Sequence, residues 1–205
     1  MNIAIIGHGN VGATLAKGWA KAGHQVIIGA RNEADEKLES LVSSDRISVN
    51  DIPGALQNSD VILVAIPAQA VKEFAETLSN VADKVFIDAT NSVFLKDAEF
   101  ATGAEAIKAI SGAIHVVKGF NTTGFENIAD PIYDGQGIDM FTAGDSQKGK
   151  EVVKQLSEDL GFEGFYDFGG DDKFELIEQF AFSWINLAIM QGEGRGIAFK
   201  VLRRD

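Results

Sequence analysis

Few folds are open to a chain that begins Asn2-Ile-Ala-Ile-Ile-Gly-His-Gly-Asn-Val-Gly12 and continues, after a helical stretch, as Gly23-His-Gln-Val-Ile-Ile-Gly-Ala-Arg31. The apolar run Ile3 to Ile6 has the length of a buried parallel strand. Gly7-His8-Gly9-Asn10-Val11-Gly12 follows at once and fits G-x-G-x-x-G. In that pattern Gly7 allows the tight turn out of the strand. Gly9 lets a pyrophosphate approach the backbone, and Gly12 lets the next helix pack against the strand. The helix is expected from Asn10 to Ala22, with Val11, Leu15 and Trp19 on one stripe and Gly23 as its C-cap. Val26-Ile27-Ile28 then completes a β-α-β unit. Alone, the glycine pattern is weak. Between a strand and a helix, with a second strand at the right distance, it is a strong signal for dinucleotide binding.

The tip of the second strand reads the ribose. An NAD site usually places Asp or Glu there, whereas an NADP site removes the acid and offers a cation to the 2′-phosphate. Here the strand ends Gly29-Ala30-Arg31-Asn32 without an acid. Arg31 can stack on the adenine and pair with a phosphate as a planar fork, or it is a solvated loop charge. Glu33 and Asp35 follow closely, so NAD binding through Glu33 stays open. His8, inside the glycine turn, can hydrogen-bond the same phosphate or simply be exposed.

The net charge of −12 and pI near 4.6 argue against a face that tracks nucleic acid phosphates. With no cysteine there is no disulfide framework, thiol nucleophile or thiolate metal site. The apolar stretch Phe180 to Met190 contains Ser183 and Asn186 and falls short of the ~20 residues that cross a bilayer. Met1 leads straight into a core strand, so the expectation is a cytoplasmic protein without a signal peptide or membrane partner. The sequon Asn121-Thr122-Thr123 is then idle.

Further along, helical spacing covers Asp35 to Ser44 and Ala68 to Asn80, with a brief helix from Asp51, as N-cap, to Asn58. Gly103 to Ser111 and Gln147 to Leu160 are also helical, and Asp172 to Gln191 reads as one long apolar helix. Strands are expected at Arg46–Val49, Val61–Ile66, Lys84–Asp88, His115–Phe120, Met140–Ala143 and Glu163–Phe168. Strands alternating with helices mean an α/β fold of the Rossmann type, a doubly wound and mostly parallel sheet with a small C-terminal helical cap. A nucleotide-binding domain is expected over residues 1–145. Residues 146–205 are expected to form an extension that completes the acceptor site and supplies the face of a homodimer. Sixty residues are too few for a separate substrate domain, so the second reactant must sit against the nucleotide domain.

In an open α/β sheet, ligands bind outside the carboxyl ends of the strands. Those ends carry the glycine turn, Ala30-Arg31-Asn32, Ile66-Pro67-Ala68, Asn91, and Asn121-Thr122-Thr123. Ile66, Pro67 and Ala68 put little bulk beside a nicotinamide ribose, or form a plain strand-to-helix turn. Asn91, Asn121 and Thr122 suit neutral hydrogen bonding to an amide or a ring carbonyl, or serve local turn chemistry. No Ser/His/Asp set, H-E-x-x-H motif or carboxylate pair stands out, so no catalytic side chain and no metal ligand is named. That absence fits direct hydride transfer between two bound ring systems, where the protein supplies distance and orientation.

Together, Ile6-Gly-His-Gly-Asn-Val-Gly12, Ile28-Gly-Ala-Arg-Asn32, Asp88-Ala-Thr-Asn91, Val116-Val-Lys-Gly-Phe-Asn-Thr122 and the Gly144-Asp145 before a helix resemble the NADPH-dependent coenzyme F420 reductase family, and the cytosolic domains of STEAP metalloreductases are similar. The resemblance covers nearly the whole chain. It implies a homodimeric Rossmann protein that holds NADP(H) across the strand tips, its nicotinamide facing a deazaflavin such as coenzyme F420 or a flavin. Carried over by position, Gly7, Gly9 and Gly12 are the pyrophosphate turn, and Ala30 and Arg31 hold the 2′-phosphate. His8 stands where the family often has Thr, and Ala30 lacks the usual hydroxyl, so an NADP preference leans on Arg31. The last eleven residues carry Arg195, Lys200, Arg203 and Arg204 against Asp205. They form a basic patch for a phosphorylated acidic acceptor, or they complement a helix dipole. Alternative readings are a NADP(H) sensor without turnover and a soluble flavin or ferric reductase.

Overall fold

The computed structural model describes residues 1–42, 44–93 and 99–204. Asp205 lies outside them, as do residue 43 of the helix expected from Asp35 and residues 94–98.

The first half alternates strictly: β1 (Asn2–Ile6), α1 (Asn10–Lys21), β2 (Gln25–Ala30), α2 (Glu36–Glu39), β3 (Ile47–Asp51), α3 (Ile52–Gln57), β4 (Val61–Val64), α4 (Val71–Glu76), β5 (Val85–Asp88), α5 (Gly103–Ser111) and β6 (His115–Lys118). All six strands are parallel, in the order β3-β2-β1-β4-β5-β6. The winding reverses between β1 and β4, and that is where a crevice opens at the strand tips. Ile3, Ile5, Val26, Ile28, Leu63 and Ile87 lie on one side of the sheet in a buried cluster with Leu15 and Trp19 of α1. Ala4, Ile62, Val64, Phe86 and Val116 face α3, α4 and α5 on the other. Because both faces are covered, the strands read as continuous apolar runs.

Local chemistry sets the ends. Asp51 caps α3 through Gly54 N–H at 2.7 Å, as expected. The buried stripe of α1 is Gly12, Leu15, Ala16, Trp19 and Ala20, with Val11 at its edge rather than within it. Gly23 follows with a left-handed φ of 101°. The helix expected from Ala68 to Asn80 is shorter. A 3-10 turn spans Ala68–Ala70, α4 stops at Glu76, and Asn80 sits at φ 56°.

The remainder is α6 (Phe125–Ala129), β7 (Ile132–Tyr133), β8 (Gln136–Gly137), β9 (Asp139–Thr142), α7 (Gln147–Glu158), β10 (Gly164–Asp167) and α8 (Phe174–Ile185). The β7–β8 hairpin and α6 were not expected, although Asp134-Gly135, both left-handed, is a short-range hairpin signal. β9 and β10 form a separate parallel pair, joined to the main sheet by one antiparallel bridge between Lys118 and Ala143. The expected unbroken helix from Asp172 to Gln191 divides into a 3-10 turn, α8, and a π-helical stretch Asn186–Met190, where Gln191 N–H donates to Asn186 O at 2.8 Å.

After Gly192 the chain turns back over the fold. Trp184 Nε1 donates to Ile197 O at 2.6 Å, and the buried Asn127 amide donates to the same carbonyl at 2.8 Å. Farther on, Lys200 reaches Gly137 O, and Val201 N–H donates to the Asp139 carboxylate. The C-terminal segment is thus fastened across α6, β8 and β9.

Candidate functional site

The glycine turn has the geometry its pattern requires. Gly7 is left-handed at φ 107°, and a Cβ there would strike the Ala65 carbonyl. A Cβ on Gly12 would strike the Gly7 carbonyl oxygen. Around Gly9, by contrast, the space is open, and Gly9 is the N-cap of α1 with no side-chain capping bond. The first N–H groups of α1 therefore face an unfilled crevice, which suits a diphosphate.

Gly7, His8, Gly9, Asn10, Ala30, Arg31, Ile66 and Pro67 line one cavity of 510 Å³. Gly12 is buried directly behind it and Val11 is half-buried there. Lys17 and Lys37 also line it, and sequence reasoning did not name them. The cavity is thus locally cationic in an acidic protein. An adjoining slot of 210 Å³ is walled by Ile52, Ile66, Pro67, Ala70 and Phe74, with Arg31 at the junction. Arg31 is exposed and has no ion-pair partner among the described residues. Asn32 accepts from Ala34 N–H in a local turn, and Ala68 opens the 3-10 turn; neither lines the cavity. His8 Nε2 lies 3.0 Å from the Asp35 carboxylate, which also caps α2 through Lys37 N–H. The Lys37 N–H, and then His8, hold the Asp35 carboxyl below its usual range. His8 is therefore engaged with an acid rather than standing free.

Asn91, Asn121 and Thr122 meet at the tips of β5 and β6. The Asn91 amide donates to Asn121 O at 2.9 Å, and the Asn121 amide donates to Asn91 Oδ1 at 3.0 Å. Asn121 is only 5% exposed, yet its Oδ1 has no partner. Buried amide oxygens are rarely left so. The atom is enclosed, and Asn91, Asn121 and Thr122 line neither of the two cavities above.

Beneath this pair lies a cluster that sequence reasoning missed. Lys118 is fully buried, and its Nζ donates to Asp88 Oδ2 at 2.7 Å, Glu178 Oε1 at 2.7 Å and Thr90 O at 2.9 Å. Asp88 Oδ1 accepts from Thr90 N–H, and Glu178 Oε2 accepts from Ser92 N–H. A signal existed. Lys118 ends an apolar strand, and Glu178 falls on the Phe174, Ile177, Ala181, Trp184 stripe of α8. Charges on inward periodic positions need partners.

Burial opposes the Lys118 charge, but Asp88 and Glu178 outweigh it and hold the ammonium above its ordinary value of 10.5. Burial pushes the Glu178 carboxyl above its ordinary 4.5, against the pull of Lys118. A raised lysine stabilises the fold fully below its unfolded pKa and loses that stabilisation as pH rises through the folded value. A raised carboxyl likewise loses stability as pH rises above 4.5. Both shifts have the same sign, so the urea midpoint should decline with rising pH across these two windows. Glu178→Gln should flatten the acidic one, and an unchanged pH profile in that variant would contradict the assignment.

Three of the four tail cations meet the chain's own groups. Arg195 makes two bonds to Glu126, at 2.6 and 3.0 Å, and lies over Phe125 and Trp184. Lys200 pairs with Glu163 at 2.8 Å, and Arg203 lies over Tyr166.

A glycine turn on an uncapped helix, at the crossover of a six-stranded parallel sheet, defines a Rossmann-type dinucleotide-binding protein. Comparison with known proteins narrows this further. The family described as NADP oxidoreductase, coenzyme F420-dependent, matches residues 2–92. The F420-dependent NADP reductase of Methanothermobacter thermautotrophicus is 30% identical over 213 residues, spanning 92% of this chain and 90% of that protein. The chain belongs to this family and is an NADP-dependent oxidoreductase. A crystal structure from Arthrobacter sp. FB24, assigned provisionally as an F420-dependent NADP reductase, superposes with a TM-score of 0.83 at 23% identity, covering 99% of this chain and 100% of the other. Glycerol-3-phosphate dehydrogenase of Thermoanaerobacter sp. is 24% identical over 76% of this chain but only 43% of its own length. Among the described residues no helix is long and apolar enough to cross a membrane.

Proposed function

We propose that this oxidoreductase transfers a hydride between NADPH and a deazaflavin or flavin-type acceptor, with coenzyme F420 the first candidate. The observation that carries this reading is the chemistry of the Asn91–Asn121 rim. It is built of amides and a hydroxyl, and the ammonium beneath it, Lys118, has three acceptors and no exposure. Such a rim orients rings and moves no proton. The names of the relatives point to the same acceptor.

In this reading the glycine turn and the α1 N-terminus hold the diphosphate, with Gly7, His8, Gly9, Asn10, Val11 and Gly12 shaping it. Arg31, between Ala30 and Asn32, faces the 2′-phosphate, helped by Lys37. The 210 Å³ slot receives the adenine, and Ile66 and Pro67 continue from it into the larger cavity toward the nicotinamide ribose, with Ala68 behind them in the 3-10 turn. The bound nicotinamide supplies the hydride. Asn91, Asn121 and Thr122 orient the ring and its carboxamide once the strand-tip loops part to admit them, since Asn121 Oδ1 is enclosed and unpartnered in the free protein. Residues 146–205 close the acceptor side.

Arg31→Ala tests the phosphate assignment. It should weaken NADPH roughly 10- to 100-fold while leaving NADH nearly unchanged, the value of one or two charge-assisted bonds. Equal loss for both nucleotides, measured by fluorescence titration, would remove the assignment. The acceptor is tested by following loss of reduced nicotinamide absorbance with F420, FMN, FAD and a ferric chelate supplied separately. Turnover with F420 supports the proposal, turnover with FMN or FAD moves it to a general flavin reductase, and turnover with ferric chelate alone rejects it.

We further propose a homodimer built on α8. Leu176, Leu187, Ile189 and Met190 are exposed along one C-terminal stretch, with Val201 and Leu202 beyond. Exposed apolar side chains gathered on one stretch of chain suit a second copy of the same chain. Light scattering at micromolar concentration should give twice the chain mass; a monomer would contradict it.

A further inference from the structure

We infer that Lys118, with Asp88 and Glu178, is a positioning cluster for hydride transfer: it holds the Asn91–Asn121 amide pair in register with the nicotinamide crevice and couples that register to α8. The inference rests on the reading of the crevice given above.

Three observations carry it. First, the cluster grips both neighbours of Asn91. Thr90 is held through its carbonyl by Lys118 and through its N–H by Asp88, and Ser92 N–H is held by Glu178. Asn91 has no freedom to shift along the crevice without breaking one of these bonds. Second, Lys118 stands three residues before Asn121, and the intervening Phe120 adopts a left-handed φ of 60°. A bulky side chain seldom does so, and such strain persists only where the surroundings over-determine it. Here they do. Phe120 is buried edge-on against Trp19 and Phe162, with ring centroids at 5.3 and 6.4 Å, while Lys118 anchors the strand behind it. The left-handed turn sets Asn121 at the tip of the sheet, where its amide donates to Asn91 Oδ1 and its own Oδ1 is enclosed without a partner. Third, every polar atom of the cluster is used. All three Lys118 contacts are within 2.9 Å, and each of the four carboxylate oxygens accepts one bond. A salt bridge that served only to attach α8 would not need the two loop N–H groups. Glu178 belongs to α8 and accepts from Ser92 N–H, so a displacement of α8 reaches the loop that carries Asn91.

The test uses Glu178→Gln in the full-length protein. Glutamine keeps the volume but cannot accept from both Lys118 and Ser92 N–H, since one end of its amide is a donor. Backbone hydrogen exchange should quicken within residues 88–92 and 118–122 while the Gly7–Gly12 turn is unaffected. NADPH should protect Asn91 and Asn121 in the parent protein and fail to do so in the variant. The NADPH dissociation constant should stay within about twofold, and kcat with any working acceptor should fall roughly tenfold at unchanged KM for NADPH. Faster exchange spread evenly over the sheet, with kcat per folded molecule retained, would reduce the cluster to a structural strut and overturn the inference. Unchanged exchange in the two loops would overturn it as well. Should the parent turn over no acceptor, the proposed reaction fails, but the exchange and protection pattern still decides this inference.

Discussion

Lys118→Met is expected to cost about 3–5 kcal/mol, the loss typical when one partner of a buried ion pair is removed and the remaining charge is stranded. Here two carboxylates are stranded, Asp88 and Glu178, both almost fully buried. Domains are stable by only about 5–15 kcal/mol, so the variant should sit near the edge of folding. At about 2–4 °C per kcal/mol for a domain of this size, its melting temperature should fall by roughly 6–20 °C. The cause can be separated from simple loss of attraction. If stranded charge dominates, adding Glu178→Gln to Lys118→Met should recover part of the loss, because it removes one orphan. A double variant less stable than the single would show instead that Glu178 contributes independently of Lys118. Calorimetry on the three proteins decides the matter.

Gly12→Ala should produce the second large effect, and mainly on binding. The added Cβ would occupy the position of the Gly7 carbonyl oxygen, which is backbone and cannot rotate away. The N-terminal turn of α1 must then lift from β1. Overpacking of this kind costs about 1–3 kcal/mol of stability. The nucleotide suffers more, because the N–H groups that face the diphosphate move with the helix. NADPH affinity should fall by at least roughly 100-fold, as a misplacement near an ångström does at a preorganised site. Gly9→Ala is the internal contrast, since nothing lies within 4 Å of its added Cβ in the free protein. It should fold like the parent and lose affinity through contact with the ligand itself. If Gly12→Ala bound NADPH normally, the assignment of the glycine turn would be wrong.

How much of this was legible beforehand depends on the range of the forces involved. The sequence by itself determined the β-α-β opening, the doubly wound parallel sheet, the glycine turn and Arg31 as the cation at the second strand tip, but not that the strands of 139–142 and 164–167 stand apart from that sheet. Each follows from local periodicity or from the steric demands of a few neighbouring residues. The Asp51 cap and the Gly23 turn were legible for the same reason. The resemblance of its motifs also pointed to the family that comparison established.

Only the tertiary structure decided the rest. It showed that His8 is engaged by Asp35, that α8 runs on into a π-helical stretch, and that Arg195 and Lys200 are paired with Glu126 and Glu163. It also brought Asp88, Lys118 and Glu178 together across 90 positions of chain. Periodicity marks a charged residue as facing inward but cannot name its partner. A buried ion cluster is fixed by packing between distant elements, and sequence spacing carries no record of which strand tip a helix will cross.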